Sequence, residues 1–306
     1  MKDDLLPLIL AAMHFLSFKE KIILQNKLDN SRDLALLSID DISMLIGRRV
    51  MSRSWNGNEF LRMAEQAKSI LESFEIQMLH FEDSKYPALV REIFDPPFML
   101  FYRGNIQVVE APCVSVVGTR KPSMKSAQAA FDFSKSAGEN GCTVVSGMAF
   151  GIDSSAHKGA ISGNGKSVAV LPCGADAVYP VANRRLAVSL LERGGCLLSE
   201  YLPGTPPAKF RFPQRNRIIS ALSAVTLVVE APPKSGALIT ADFALEQGRD
   251  VYLHQVSLEV PKERCGVLSY QQDGAPVIAS YEDYLCCKNA IPGTPYCKTD
   301  KQLYFS

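Results

Sequence analysis

The chain has 306 residues, of which 47% are hydrophobic and 21% charged, and its formal net charge at pH 7 is +1. This length allows one main domain with a large core and a smaller second domain. The near-neutral charge excludes a polycation as a whole, so any affinity for nucleic acid must come from local clusters of cations.

Cysteine usage and the N-terminus indicate the compartment. The eight cysteines lack the paired C-x-x-C spacing that zinc sites need, which predicts buried reduced thiols and no metal site. Asp3 and Asp4 are at odds with the positively charged start of an export signal, and no apolar run approaches the length of a membrane span. We therefore expect a cytoplasmic protein without a membrane segment.

The first 75 or so residues carry apolar positions at helical spacing, as in LLPLILAAMHFL and EFLRMAEQAKSILESF. They predict a small all-helical domain over residues 1–75, of a SAM-like or helix-hairpin-helix-like kind. From residue 76 the pattern changes to short apolar runs separated by proline and glycine, and the first two strands are predicted near 76–80 and 98–102.

Six continuous apolar runs follow, without the alternation of a half-exposed sheet, as expected for strands covered on both faces. They lie at residues 113–118, 142–147, 167–174, 196–200, 224–231 and 250–255. Segments of helical length separate most of them, which predicts an α/β fold with an extended Rossmann-like, doubly wound, mostly parallel sheet over residues 76–285. The chain after 256 is expected to return to the sheet edge, and residues 286–306 to form a loosely structured tail.

The loops after these strands are the candidate sites, because ligands of open parallel sheets bind beyond the carboxyl ends of the strands. In VVGTRKPS, Gly118 ends a strand and Ser123 can cap the next helix. Arg120 and Lys121 stand beside the free N–H groups of that helix start, an arrangement that receives a phosphate. The alternative is that Gly118 only turns the chain and the cations are solvated.

The loop EAPPKSGALITADFAL offers a similar helix start, formed by Lys234, Ser235 and Gly236. It is not a P-loop, because the glycine spacing and the GK[ST] ending are missing. No G-x-G-x-x-G follows the first of these strands either, which disfavours a dinucleotide dehydrogenase.

The loop SGMAFGIDSSAH allows close backbone approach at Ser146, Gly147 and Gly151, and Asp153 is expected to cap the helix that carries His157. One interpretation makes Asp153 and His157 an acid/base pair of an enzyme. The other makes them structural residues that hold the loop, and it is favoured because no nucleophile or metal partner is evident.

Five segments occur in an order and spacing that resemble one family. They are VVGTRKPS, VVSGMAFGIDSSAHKGAI, GKSVAVLPCGADAVYP, LLSEYLPGTPPAKFRFPQRNRIISALS and VVEAPPKSGALITADFALEQGRDVY. Together they resemble the DNA-processing protein family, DprA or Smf, over residues 76–255. After residue 255 the chain departs from the family's Val-Pro-Gly turn and Gly-Thr-Asn-like segment, at the sheet edge implicated in dimerisation.

The resemblance implies a non-enzymatic, homodimeric protein without a cofactor that binds single-stranded DNA and loads the RecA recombinase during natural transformation. FRFPQRNR suits this role, since strand binding needs a cationic groove and flat surfaces for bases. Arg120 and Arg215 are expected to pair with phosphates and Phe210 or Phe212 to stack on a base, while Asn216 either contacts a base edge or clamps a loop. The resemblance assigns to the DNA site Gly118, Thr119, Arg120, Ser123, Ser146, Gly147, Phe210, Arg211, Phe212, Arg215, Asn216, Arg217, Lys234, Ser235 and Gly236.

The main alternative is a nucleotide-binding protein or a nucleoside-monophosphate phosphoribohydrolase of the same broad superfamily. Those hydrolases carry Pro-Gly-Gly-x-Gly-Thr followed by a catalytic glutamate. Here PPKSGALITADFA lacks both the double glycine and a glutamate at that spacing, which argues against hydrolysis. A third possibility is an interaction protein that acts through its N-terminal helices.

Overall fold

A computed structural model of the chain describes residues 3–52 and 54–289. The N-terminal region is helical, as predicted, and serine side chains cap two of its helices in reciprocal capping boxes, Ser17 with Glu20 and Ser38 with Asp41. Its helices are α1 (Leu5–Ala12), α2 (Phe18–Lys27), α3 (Ser31–Leu36), α4 (Ile39–Ile46) and α5 (Gly57–Ser73).

The described residues then form a nine-stranded sheet in the order β1-β2-β6-β5-β4-β3-β7-β8-β9. Strand β2 pairs antiparallel with β1 and β6, and all pairs from β6 to β9 are parallel. The strands are β1 (Gln77–His80), β2 (Met99–Gly104), β3 (Cys113–Val117), β4 (Thr143–Ser146), β5 (Ser167–Val170), β6 (Cys196–Ser199), β7 (Val225–Val228), β8 (Asp250–His254) and β9 (Val277–Ile278).

Helices cover both faces of this sheet. They are α6 (Ala88–Arg91), α7 (Met124–Glu139), α8 (Ile152–Ser162), α9 (Arg184–Glu192), α10 (Arg211–Ala221), α11 (Gly236–Glu246), α12 (Leu268–Gln272) and α13 (Tyr281–Asn289). Phe133 of α7 and Ala156 of α8 pack with Val114 on one face, whereas Ile218 of α10 and Ala241 of α11 belong to a second core on the other. The structure therefore confirms the doubly wound, Rossmann-like sheet.

The predicted strands are confirmed, and the chain after residue 256 does return to the sheet edge, where β9 pairs with β8. The expected start of a loose tail at residue 286 falls inside α13, which continues to Asn289. Residues 290–306 lie outside the described residues.

The helical region shares its core with the antiparallel end of the sheet. Leu8, Leu24 and Ile42 from the helices are buried in one cluster with Met99 and Phe101 of β2. Each Å² of apolar surface that is buried contributes about 25 cal/mol to stability, so such a cluster is a main source of stability. The helices and β2 therefore stabilise each other.

Most thiols are buried, as predicted. Cys113, Cys142, Cys173, Cys196 and Cys265 are free and buried, and burial raises the pKa of the Cys113 thiol to about 12. The expectation is wrong for Cys286, which is exposed on α13, and Cys297 lies outside the described residues. Across residues 3–52 and 54–289, no helix has both the length and the apolar character to cross a membrane.

Candidate functional site

The sheet has a topological switch point between β3 and β7. From β3 the chain proceeds to β4, β5 and β6 on one side, and it then returns to place β7 on the other side of β3. The loops after β3 and β7 diverge there and leave a crevice. A cavity of about 1020 Å³ opens at this point, lined by both loops and by α10 and α11. We call it the cleft.

An arginine and two aromatic rings form one wall of the cleft. The guanidinium carbon of exposed Arg120 lies 5.1 Å from the centroid of the Phe212 ring, within cation–π distance. The Phe212 and Tyr179 rings meet edge to face at 5.5 Å, and Tyr179 is 41% exposed. This wall offers positive charge and ring surface side by side.

The charge around the cleft is one-sided. The acidic lining residue Asp153 is buried, whereas the exposed charged residues of the lining are cations: Arg120, Lys121, Lys209 and Arg264. Cations around a concave surface raise the local potential, so the cleft is suited to an anionic ligand.

The loop after β3 is held by backbone contacts, and Ser123 caps α7 as predicted, its hydroxyl accepting the Ser126 N–H at 3.1 Å. Gly118 is needed for packing, since a Cβ there would lie 2.4 Å from Cγ1 of Ile152. Thr119 donates its N–H to the Glu230 carbonyl at 2.7 Å. Gly118, Thr119 and Arg120 all line the cleft.

The loop after β4 is mainly structural. Ser146 is fully buried and its hydroxyl donates to the Val116 carbonyl at 2.7 Å, so its expected contact with DNA is corrected to a structural role. Gly147 is also buried; a Cβ at this position would lie 2.7 Å from Nη2 of Arg215 and 2.8 Å from Oδ2 of Asp153. Glycine is required here because the guanidinium and the carboxylate both approach the backbone.

Arg215 lies in the floor of the cleft and is almost completely covered, with only 3% of the residue exposed. Its Nη1 donates to the Gly147 carbonyl at 2.9 Å and also to the Val170 carbonyl, which connects the ends of β4 and β5. Burial lowers the pKa of Arg215 to about 10, although the Asp153 carboxylate opposes the shift. The expected phosphate pairing of Arg215 is therefore replaced by a structural role.

Asn216 clamps two elements. Its Nδ2 donates to the Gly236 carbonyl at 3.1 Å, and its Oδ1 accepts from Nε of Arg215 at 3.2 Å. Both ends of the amide are occupied, which favours the clamp over a contact with a base edge.

Among the remaining residues of FRFPQRNR, Phe212 and Pro213 line the cleft, whereas Phe210, Arg211 and Arg217 do not. Arg217 donates from Nη2 to Oε2 of Glu200 at 2.6 Å, toward the helical region. The guanidinium carbon of Arg211 lies 5.2 Å from the ring centroids of both Tyr201 and Phe210. Phe210 is 59% exposed but does not line the cleft. The sequence predicts Arg211, Arg217 and Phe210 in the DNA site, whereas the structure places them outside the cleft.

Asp153 and His157 hold the loop after β4. The N-cap of α8 is Gly151, at φ +76°, and not Asp153 as predicted. Asp153 lies in the first turn and accepts the N–H groups of Gly147 and Ala149, each at 3.2 Å. His157 is fully buried, and its Nδ1 hydrogen-bonds the Ser167 hydroxyl at 2.7 Å.

His157 should make stability depend on pH. Burial, together with the nearby Arg215, lowers the pKa of His157 from 6.5 to about 3. Below pH 6.5 the unfolded chain therefore binds a proton at this histidine and the folded chain does not. The free energy of unfolding should fall by about 1.4 kcal/mol for each unit by which the pH is lowered. Urea unfolding of wild type and His157→Gln at pH 4.5 to 7 should give a flatter profile for the variant; parallel profiles would contradict this assignment.

The third loop places Ser235 at the N-cap of α11, with Gly236 as the first helical residue, and both line the cleft. Lys234 is exposed beside them, in the left-handed region at φ +61°. Lys121 and Lys209, which adjoin predicted residues, also line the cleft. Sequence reasoning missed Tyr179, Glu230 and Arg264. Glu230 had a signal, because it ends a strand beside the predicted loop, but nothing in the irregular segment around Arg264 indicated a contact with it.

The fold and the cleft define a class: a Rossmann-like α/β protein with a cleft lined by cations at the switch point of its sheet. Comparison with known proteins then gives the family. Residues 77–288 match the family model described as DNA recombination-mediator protein A, and the chain belongs to this family. The resemblance inferred from the five motifs is thereby confirmed.

Named relatives agree. The chain is 38% identical over 266 residues to the protein Smf of Synechocystis sp., covering 86% of this chain and 65% of that one. It is 42% identical over 204 residues to the DNA processing protein DprA of Streptococcus pneumoniae, covering 66% of this chain and 71% of the relative. The chain thus spans about two thirds of the length of these relatives.

Two solved structures share the fold. The X-ray structure of DNA processing protein A from Streptococcus pneumoniae superposes with a TM-score of 0.73 at 33% identity, covering 93% of this chain and 98% of that one. DNA processing protein A from Helicobacter pylori, whose structure was described for its single-stranded DNA binding mode, superposes with a TM-score of 0.62 at 28% identity, covering 69% and 94%.

Proposed function

We propose that the cleft binds single-stranded DNA without cutting it. The observation that carries this proposal is the wall in which Arg120 lies over the Phe212 ring, next to exposed Tyr179, among the exposed cations of the lining. Proteins that bind single strands combine a cationic groove for phosphates with rings on which bases stack. The relative from Helicobacter pylori, described as binding single-stranded DNA, supports the same ligand.

The contacts are divided between phosphates and bases. Arg120, Lys121 and Lys209 are proposed to meet phosphates, and Phe212 and Tyr179 to stack on bases. The start of α11 adds N–H groups beside Ser235 and Gly236, and Lys234 adds charge near them. Phosphate contacts position a strand without reading its sequence, so binding should be largely independent of sequence.

A role without chemistry fits the titratable groups at the cleft. Asp153 is buried, and its carboxylate accepts two backbone N–H groups. His157 is buried against Ser167 and is kept neutral by its lowered pKa. Neither group is free to exchange protons with a ligand, which supports binding over hydrolysis.

We also propose that the bound strand is passed to the RecA recombinase and that the protein acts as a homodimer. Holding DNA by phosphates and base faces leaves the Watson–Crick edges available for pairing, which suits the family's description as a recombination mediator. The short edge strand β9, where Val277 is 40% exposed, is the candidate dimer contact. RecA filament assembly on protein-coated DNA tests the first claim, and light scattering tests the second.

Arg120→Ala should weaken binding of every single-stranded sequence tested. Loss of one phosphate contact is expected to lower the slope of log K against log salt by about 0.7 for a single strand. Fluorescence anisotropy with labelled oligo-dT and a mixed-sequence strand, from low to moderate salt, measures both effects.

Arg62→Ala is the matched control for Arg120→Ala, because Arg62 is an exposed arginine on α5, away from the cleft. It makes the same change in net charge and should leave the slope unaltered. A sequence-dependent loss with an unchanged slope would exclude a phosphate contact by Arg120. No binding of single strands at low salt would contradict the proposed function and favour a small nucleotide as the ligand.

A further inference from the structure

A fully buried carboxylate, that of Glu230, lies behind the wall of the cleft that Arg264 lines; its exposed fraction is 0%. One oxygen, Oε2, accepts the Ser123 N–H at 2.9 Å, which fixes the start of α7. The other, Oε1, is paired with Nη2 of Arg264. Because an unpaired carboxylate is very costly inside a protein, Glu230 strongly favours a cation at this place.

Arg264 comes from the segment between β8 and α12. This segment is tied to the walls of the cleft by its backbone, since Gly266 donates its N–H to the Ala231 carbonyl at 2.8 Å. Nη2 of Arg264 also donates to the Lys121 carbonyl at 3.1 Å, in the loop that carries Arg120. Lys125 and Glu259 form a further ion pair between the segment and α7.

The ion pair with Glu230 nevertheless leaves part of the Arg264 guanidinium accessible. Its side chain is 44% exposed, while that of Glu230 is 0% exposed, and Arg264 lines the cleft. A guanidinium carries five N–H donors in a rigid fork. The contacts with Glu230 and Lys121 are both made by Nη2, so Nε and Nη1 are the donors that a ligand would meet.

We propose that Arg264 is a further phosphate-binding residue of the cleft and that Glu230 is its positioning residue. This inference rests on the proposed function and extends the binding surface to a further wall of the cleft, formed by the segment after β8. The ion pair holds the guanidinium in place before the strand arrives, and a bound phosphate shares Arg264 with the buried carboxylate. A fork that is already oriented loses less conformational entropy on binding than a free arginine does.

The test is the salt dependence of oligo-dT binding by Arg264→Gln, measured by anisotropy. The slope of log K against log salt should fall by about 0.7, as for any lost phosphate contact on a single strand. Arg264→Lys, which keeps the charge, should keep the slope. Arg48→Gln is the matched control, because Arg48 is 52% exposed and pairs with Glu20 at 2.6 Å in the helical region, and it should change nothing.

The outcomes separate the inference from the proposed function. If Arg120→Ala lowers the slope and Arg264→Gln does not, the inference is wrong and the proposed function stands. If wild type does not bind single strands, both are wrong. Arg264→Gln leaves the buried Glu230 carboxylate unpaired and could therefore fail to fold. In that case the double variant Glu230→Gln/Arg264→Gln removes both charges, and its slope of log K against log salt decides in the same way.

Discussion

Arg215→Ala is expected to lower the free energy of unfolding by about 3–5 kcal/mol, the usual cost of leaving a buried charge uncompensated. The variant loses the hydrogen bonds to the Gly147 and Val170 carbonyls, which connect the ends of β4 and β5. It also leaves the buried Asp153 carboxylate without the positive charge of Arg215, which opposes the rise in the pKa of Asp153 that burial causes. Urea unfolding at pH 7 measures the loss.

Arg185→Ala provides the comparison, because Arg185 is an exposed arginine on α9 and its loss should cost less than about 0.5 kcal/mol. Arg215→Ala/Asp153→Asn should recover part of the stability, since it removes the unpaired charge. A stable Arg215→Ala protein that binds DNA with a lower salt slope would restore Arg215 as a phosphate contact.

Gly151→Ala is expected to cost about 3 kcal/mol or more, through backbone strain and steric overlap. Gly151 has φ +76° and ψ −122°, a conformation that is almost confined to glycine. A Cβ would lie 2.4 Å from the Thr119 carbonyl oxygen and 2.8 Å from the carbonyl carbon of Arg120. The loop after β3 must move to relieve this overlap, so Gly151→Ala should also weaken binding of single-stranded DNA. Thermal unfolding and anisotropy measure the two effects.

Gly141→Ala separates strain from overlap. Gly141 has a similar φ of +72°, but no atom lies within 4 Å of the position its Cβ would take. The cost there should be limited to the left-handed conformation, about 1–2 kcal/mol, with unaltered DNA binding. Equal losses in the two variants would show that the contact with the Arg120 loop is unimportant.

The strands could be predicted because their signal is local. Each continuous apolar run becomes a strand covered on both faces, and turn residues mark the ends. The roles of the arginines in FRFPQRNR could not be predicted, since Arg211, Arg215 and Arg217 are equivalent as cations in sequence. Their surroundings differ only in the fold: Arg215 meets carbonyls 45 and 68 residues away in the chain, and Arg217 meets Glu200.

Only part of the cleft could be predicted from the sequence. Loops that follow parallel strands can be located from the strand signal, so Arg120 and Ser235 were found from sequence. Ser146 was misassigned because a small polar residue at a strand end is equally suited to bind a ligand or to hydrogen-bond a neighbouring strand. The pairing of Glu230 with Arg264 joins residues 34 apart through an irregular segment, for which no periodicity gives a signal.

The core shared by the N-terminal helices and β2 has a consequence for dividing the chain. A fragment that began at residue 77, where the family match starts, would leave one side of Phe101 and Met99 facing water. Such a fragment should aggregate or require detergent, and the isolated helices should melt at low temperature. The start of the family match in this chain therefore differs from the boundary of independent folding, and deletion series should be planned around the second.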